Sequence, residues 1–164
     1  MQKGTIRILY GPGRGKSAAA MGYGVLGAAK KQKVIMVQFL KGILDEGTME
    51  MLKRIEPEMK VFRFERSLGL FESLPDEKKK EELINLKNGF HFAKKVLATG
   101  ECGLLILDEI LGLIDQNVVT LEEFLELLKS RHEETDLVMT GRVCPREIRA
   151  LADSISFVEK TEDN

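Results

Sequence analysis

Seven consecutive residues, Gly11-Pro12-Gly13-Arg14-Gly15-Lys16-Ser17, combine three glycines, two cations and a hydroxyl. This is the chemistry of a phosphate cradle. Glycines let the backbone fold so that several N–H groups point inward at phosphate oxygens. A helix opening at Lys16 adds partial positive charge at its N-terminus, with Ala18 in its first turn. Lys16 brings a full charge to the phosphates, Arg14 brings another, and the Ser17 hydroxyl can reach Mg²⁺. The common pattern G-x-x-x-x-G-K-[ST] asks for Gly where this chain has Tyr10. The Gly-Lys-Ser end is kept, and the glycines before it are crowded together.

Other residues could complete a nucleoside triphosphate site, with ATP the expected nucleotide. Leu104-Leu105-Ile106-Leu107-Asp108-Glu109 is four apolar residues ending in two acids. Mg²⁺ takes one or two carboxylates together with phosphate and water oxygens. Asp108, Glu109 and Ser17 are therefore the metal candidates. Arg142, in Thr140-Gly141-Arg142, has the planar fork that meets phosphate or carboxylate. Lys16 and Arg142 are the catalytic candidates, since both can hold negative charge on phosphate. Gln38 and Lys41 follow another apolar run and are placed by the same logic.

These residues need a scaffold that gathers them. Residues 5–10 and 34–40 read as strands, as do 61–64, 103–107, 136–140 and 154–159. Helices are expected over 16–31, within 42–57, from Pro75 to about residue 98, over 120–130 and over 145–152. Thr120 followed three residues later by Glu123 is a capping box. Small residues in the first helix suit close packing on a sheet. Strands alternating with helices imply parallel crossovers. The expected architecture is a three-layer α/β fold like that of phosphate-loop NTPases, with a mainly parallel sheet of about six strands. Ligands in such sheets sit beyond the carboxyl ends of the strands, which is where every candidate above falls.

Bulk properties narrow the class. A chain of 164 residues suits one nucleotide-binding domain over residues 1–164. Net charge is −1, so no global field draws it to nucleic acid or anionic membrane. Two cysteines, Cys102 and Cys144, are too few for a disulfide scaffold or a four-thiolate zinc site. They are expected to be small buried thiols. No apolar signal core opens the chain, and no run approaches the ~20 residues of a membrane span, so a cytoplasmic protein is expected. The charged run 76–82 reads as a solvated helix face, and His91 as a partly buried structural histidine. Phe62 and Phe64 are expected in the core, and Met49, Met51 and Met59 beside the substrate cleft.

The run from Tyr10 to Ser17 resembles the altered phosphate loop T-G-N-G-K-G-K-T of the ATP:corrinoid adenosyltransferases. Gln38-Phe39-Leu40-Lys41-Gly42 is similar to that family's Q-F-I-K-G, and Leu107-Asp108-Glu109-Ile110 to its L-D-E-[IL]. Thr140-Gly141-Arg142 and Ala152-Asp153 resemble its T-G-R and A-D. The matches keep the family's order and span residues 10 to about 153. The resemblance implies that cobalt(I) of a reduced corrinoid attacks the 5′ carbon of ATP and that triphosphate leaves. It implies ATP, Mg²⁺ and a corrinoid co-substrate, a homodimer, a reductase supplying cobalt(I), and a nucleotide reversed relative to that of hydrolases. The family's G-F-x-W segment reads Gly69-Leu70-Phe71-Glu72 here, with Phe71 the candidate corrinoid contact and Glu at the Trp position. The C-terminal extension of the family, and the N-terminal extension of some relatives, have no match within these residues.

Three functions remain open on the residues alone: adenosyl transfer, phosphoanhydride cleavage by an ATPase or small kinase, and non-catalytic ATP-binding regulation. Tyr10 at the loop's first Gly position speaks against a standard hydrolase or kinase. The absence of a Cys-rich zinc lid speaks against the thymidine-kinase type. Adenosyl transfer is the reading the motifs match best.

Overall fold

The computed structural model describes residues 3–40, 45–67 and 69–162. The elements run β1 (Ile6–Tyr10), α1 (Lys16–Ala29), β2 (Val34–Gln38), α2 (Glu46–Arg54), β3 (Met59–Arg63) and a 3-10 turn at Phe71–Ser73. They continue as α3 (Asp76–Thr99), β4 (Leu104–Asp108), α4 (Gly112–Asp115), α5 (Leu121–Lys129), β5 (Asp136–Gly141), α6 (Arg146–Arg149) and β6 (Ser154–Phe157). The strands form one sheet in the order β3-β2-β4-β5-β1-β6. Every pairing is parallel. Parallel neighbours need crossover connections, so helices cover both faces of the sheet.

Strand periodicity sorts the core into two layers. Ile35, Val37, Leu105, Leu107, Leu137 and Met139 face a cluster that includes Leu86, Phe90, Leu97 and Phe124 of α3 and α5. Their neighbours Val34, Met36, Leu104, Ile106 and Val138 face the opposite way, toward Ala20 of α1 and Met59. Successive strand side chains point to opposite faces, which is why these strands read as unbroken apolar runs. On α1 a methyl at Gly24 would lie 2.7 Å from Met59 Cε, so the small residues permit close approach to the sheet. Leu86, Phe90, Ala93 and Leu97 form the buried stripe of α3 at helical spacing. That helix stops at Gly100, whose positive φ of 66° lets its N–H return to Val96 O. The expected capping box of α5 is present between Thr120 and Glu123.

Several local expectations need correction. β2 ends at Gln38, because Leu40 turns the chain with φ 62°. β3 begins at Met59, and Phe64 lies past its end, where its ring packs 5.3 Å from Phe92. Met59 is fully buried at the start of its strand, paired with Val34. It therefore lies at the end of the sheet remote from the phosphate loop and does not flank a cleft there. Met49 and Met51 are exposed on α2. His91 is exposed on α3, since it points away from the stripe formed by its neighbours. Cys102 and Cys144 are buried, free thiols. Burial pushes their pKa values up to about 12 and about 11, which keeps them protonated and unreactive. Among the described residues, no helix is long and apolar enough to cross a membrane.

Sheet order explains where the site lies. The crossover from β1 runs past β5 and β4 to reach β2, whereas that from β5 passes β1 to reach β6. Connections diverging in this way open a crevice at the carboxyl ends of the strands.

Candidate active site

The phosphate loop joins Tyr10, the last residue of β1, to Lys16, the first of α1. Its glycines serve different physical ends. Gly15 has φ 98° and open space where a Cβ would stand, so conformation requires glycine there. Gly13 is a matter of space: a Cβ would lie 2.2 Å from Glu159 O. Gly11 meets both limits, since its φ is 128° and a Cβ would lie 2.4 Å from Val158 O. The N–H of Gly11 donates to Gly141 O at 3.1 Å, and that of Gly13 to Val158 O at 2.9 Å. The expectation that these amides face phosphate is therefore corrected. They tie the loop to the last residue of β5 and to the chain just after β6. Tyr10 packs edge-on against Phe157 with ring centroids 5.1 Å apart.

Lys16 is buried, and its Nζ donates to Gly11 O at 2.7 Å and to Gly13 O. The ammonium thus braces the two crowded glycines from inside the loop. A cavity of about 730 Å³ opens over residues 12–18, walled by Glu109, Arg142, Glu159 and Lys160. Pro12, Gly13, Arg14, Gly15, Lys16, Ser17 and Ala18 all line it.

Asp108 closes the site from beneath. It is fully buried at the end of β4. Its Oδ1 accepts from Ser17 Oγ at 2.9 Å and from Thr140 Oγ1 at 2.7 Å. Its Oδ2 accepts from Gln38 Nε2 at 3.4 Å. Thr140 Oγ1 in turn accepts the Glu109 N–H at 2.8 Å, so its one proton is committed to Asp108. Glu109 adopts φ 63°, a conformation uncommon for a non-glycine residue. The turn sends Glu109 to the cavity wall while Asp108 stays below.

The donor set suits Mg²⁺. Two adjacent ligands of an octahedral Mg²⁺, each at about 2.0–2.1 Å, stand about 2.9 Å from one another. Ser17 Oγ and Asp108 Oδ1 have that separation. Both are hard oxygen donors, Ser17 in the lining of the cavity and Asp108 buried behind it.

A second cavity of about 230 Å³ adjoins the first. Glu109 and Arg142 wall both. Phe71 is buried in the second cavity's lining, joined by Leu40 and Leu70. Glu72, Asp115 and Gln116 supply its polar side.

The structure therefore gathers Lys16, Ser17, Glu109 and Arg142 around one cavity and puts Phe71 in its neighbour. Gln38 lies beside Asp108 on the neighbouring strand and lines neither cavity. Gly11 contributes a carbonyl to Lys16 and is absent from both linings. Lys41 falls outside the described residues. Sequence reasoning misses Thr140 as the pivot of the acid cluster, although the T-G-R contains it. It also misses Glu159 and Lys160, which the rule about strand carboxyl ends finds when applied to β6. Glu72 stands out in the sequence only as a departure from a pattern, and Asp115 and Gln116 carry no motif.

Comparison with known proteins identifies the family. The family model described as "ATP:corrinoid adenosyltransferase BtuR/CobO/CobP" matches residues 2–163. The chain is 28% identical over 155 residues to a corrinoid adenosyltransferase of Escherichia coli (strain K12), covering 94% of this chain and 76% of that one. It is 27% identical over 155 residues to the corrinoid adenosyltransferase CobA of Salmonella typhimurium, with the same coverage of 94% and 76%. A corrinoid adenosyltransferase of Pseudomonas aeruginosa is 23% identical over 155 residues, or 94% of this chain and 74% of that one. With a match that runs almost from end to end, this chain belongs to the ATP:corrinoid adenosyltransferase family.

Proposed function

We propose that this protein, acting as one nucleotide-binding unit in the cytoplasm, transfers the 5′-deoxyadenosyl group of ATP to the cobalt(I) of a reduced corrinoid. Cobalt supplies the electron pair for a new bond to the 5′ carbon. The bond from that carbon to the triphosphate oxygen breaks, and the triphosphate leaves with its electrons. Cobalt passes formally from the +1 to the +3 state, and no proton moves. The cobalt(I) form must come from a separate one-electron reductant acting on cobalt(II), and a reductase is the expected partner. A homodimer is expected on family grounds.

The supporting observation is that a phosphate cavity and a second cavity share Glu109 and Arg142 as a common wall. Water attack on a phosphate needs no second pocket. Transfer to a bulky acceptor needs one, placed in line with the breaking bond. In this reading the triphosphate lies over residues 12–18 with its ribose end toward the second cavity, reversed from a hydrolase. Lys16, Arg14 and the N-terminus of α1 stabilise the charge that grows on the leaving group. Arg142 holds the oxygen nearest the breaking bond. Ser17 and Asp108 would hold Mg²⁺, which supplies further charge neutralisation when bound. Phe71 packs against the corrinoid.

Incubation with ATP, Mg²⁺ and chemically reduced corrinoid tests this. The expected products are inorganic triphosphate and a light-sensitive adenosylated corrinoid in equal amounts. Release of ADP and phosphate without corrinoid would assign the protein to phosphoanhydride cleavage.

A further inference from the structure

We infer that Glu72, set against Asp115 and Gln116, makes the second cavity select corrinoids whose peripheral side chains are primary amides over those whose side chains are carboxylates. The inference rests on the adenosyl-transfer reading above.

The cavity has two unlike sides. Leu40, Leu70 and Phe71 are apolar, and Glu72, Asp115 and Gln116 are polar. Gln116 Nε2 donates to Glu72 Oε1 at 3.0 Å. This bond joins the 3-10 turn at Phe71–Ser73 to the residue after α4. It orients both side chains, and it leaves the second carboxylate oxygen of Glu72 and the carbonyl of Gln116 as acceptors at the rim. Glu109 brings a further carboxylate to the wall. Among the described residues, Arg142 is the cation of this lining, and the phosphate cavity shares it. A bound triphosphate engages that cation, so among the described residues the lining left to the corrinoid is one of acceptors with net negative charge.

A volume of about 230 Å³ is below the ~300–1,000 Å³ of pockets that enclose a drug-sized ligand. It can seat the edge of a corrinoid, which means the side chains on its periphery. Primary amides would donate N–H to Glu72 and to the Gln116 carbonyl in partly charge-assisted hydrogen bonds. Carboxylates at the same place would face Glu72, Asp115 and Glu109 with like charge, set against the second N–H of Gln116. In the G-F-x-W pattern that this segment departs from, the residue at the position of Glu72 is an apolar Trp. An indole ring would press on either kind of corrinoid, whereas a carboxylate discriminates between them by charge.

The test pairs two chemically reduced corrinoids that differ only in carrying amides or carboxylates, each with ATP and Mg²⁺. The wild-type protein is expected to favour the amidated one in kcat/KM by about ten-fold, the size of one like-charge contact at a partly exposed site. Glu72→Gln should narrow that ratio several-fold, chiefly by lowering KM for the carboxylate form. Equal kcat/KM for the two corrinoids, or a ratio untouched by Glu72→Gln, overturns the inference and leaves adenosyl transfer standing. Failure of both corrinoids to yield triphosphate overturns adenosyl transfer instead. Calorimetric binding of each corrinoid to the ATP-loaded protein then decides the selectivity: preference for the amidated form supports it, and equal binding removes it.

Discussion

Thr140 Oγ1 donates to Asp108 Oδ1 at 2.7 Å while accepting the Glu109 N–H, so one hydroxyl ties together the ends of β4 and β5 beneath the phosphate cavity. Thr140 and Asp108 are both fully buried. Thr140→Val keeps the shape and removes both hydrogen bonds. Unfolding by urea should show a loss of about 1–3 kcal/mol, the cost of leaving a buried acceptor and a buried N–H short of partners. Thr140→Ser should recover most of it. Equal stability of the Val and Ser variants would show that shape, and not the hydroxyl, matters here.

Lys16 has a role in the loop even without nucleotide, through the Gly11 and Gly13 carbonyls. With nucleotide it supplies the charge closest to the loop's interior. Lys16→Ala should weaken ATP binding by about 10- to 100-fold, the scale of one charge-assisted hydrogen bond. Titration calorimetry measures it directly. An unchanged ATP affinity would mean that the phosphates lie elsewhere.

Two loop glycines should fail for different reasons. A methyl at position 13 meets the backbone of Glu159 at 2.2 Å, so Gly13→Ala must push the chain after β6 away. The hydrogen bond from Gly13 N–H to Val158 O should open, and amide exchange at residue 13 should accelerate. Gly15→Ala has room but must hold φ near 98°, a cost of about 1–3 kcal/mol. It should lower stability with little change in exchange at residue 13. The two exchange patterns together separate steric contact from backbone strain.

Glu65 makes stability depend on pH. Burial, aided by the nearby Glu82 carboxylate, raises its pKa from 4.5 to about 7, although the Leu40 N–H pulls it down. Between pH 4.5 and about 7 the folded state therefore keeps a proton that the unfolded chain releases. Stability contributed by this group falls as pH rises through that window and levels off above it. Glu65→Gln removes the titration and should flatten this part of the profile, with the variant the more stable at about pH 8. Denaturation midpoints of the two proteins between about pH 4 and 8 give the slope. Parallel profiles would rule Glu65 out as the source.

Much of this is legible in the chain because local patterns carry it. The apolar runs of β2 and β4 are strands covered on both faces, and their lengths and ends announce both the sheet and Asp108. The capping box at Thr120 and the proline at position 75 mark helix starts by local hydrogen-bonding and backbone rules. The details that go astray depend on distant residues. Met59 reads as an adaptable cleft residue until the sheet places it under Gly24. His91 reads as half-buried until the phase of α3 turns it to solvent.

By itself, the sequence determined that a phosphate loop joins a strand to a helix, that an α/β sheet carries it, and that the motifs follow one family's order. Those properties follow from residue type and spacing within a few turns of chain. Only the tertiary structure decided what the crowded glycines do. Gly11 and Gly13 are glycine because residues 158 and 159 pass against them, and their amides are taken by that contact and by Gly141. Only the fold brings Ser17 within 2.9 Å of Asp108 across a separation of 91 residues, and only it faces Glu72 toward Gln116. Such contacts arise from strand order and crossover direction, which no local stretch of sequence encodes.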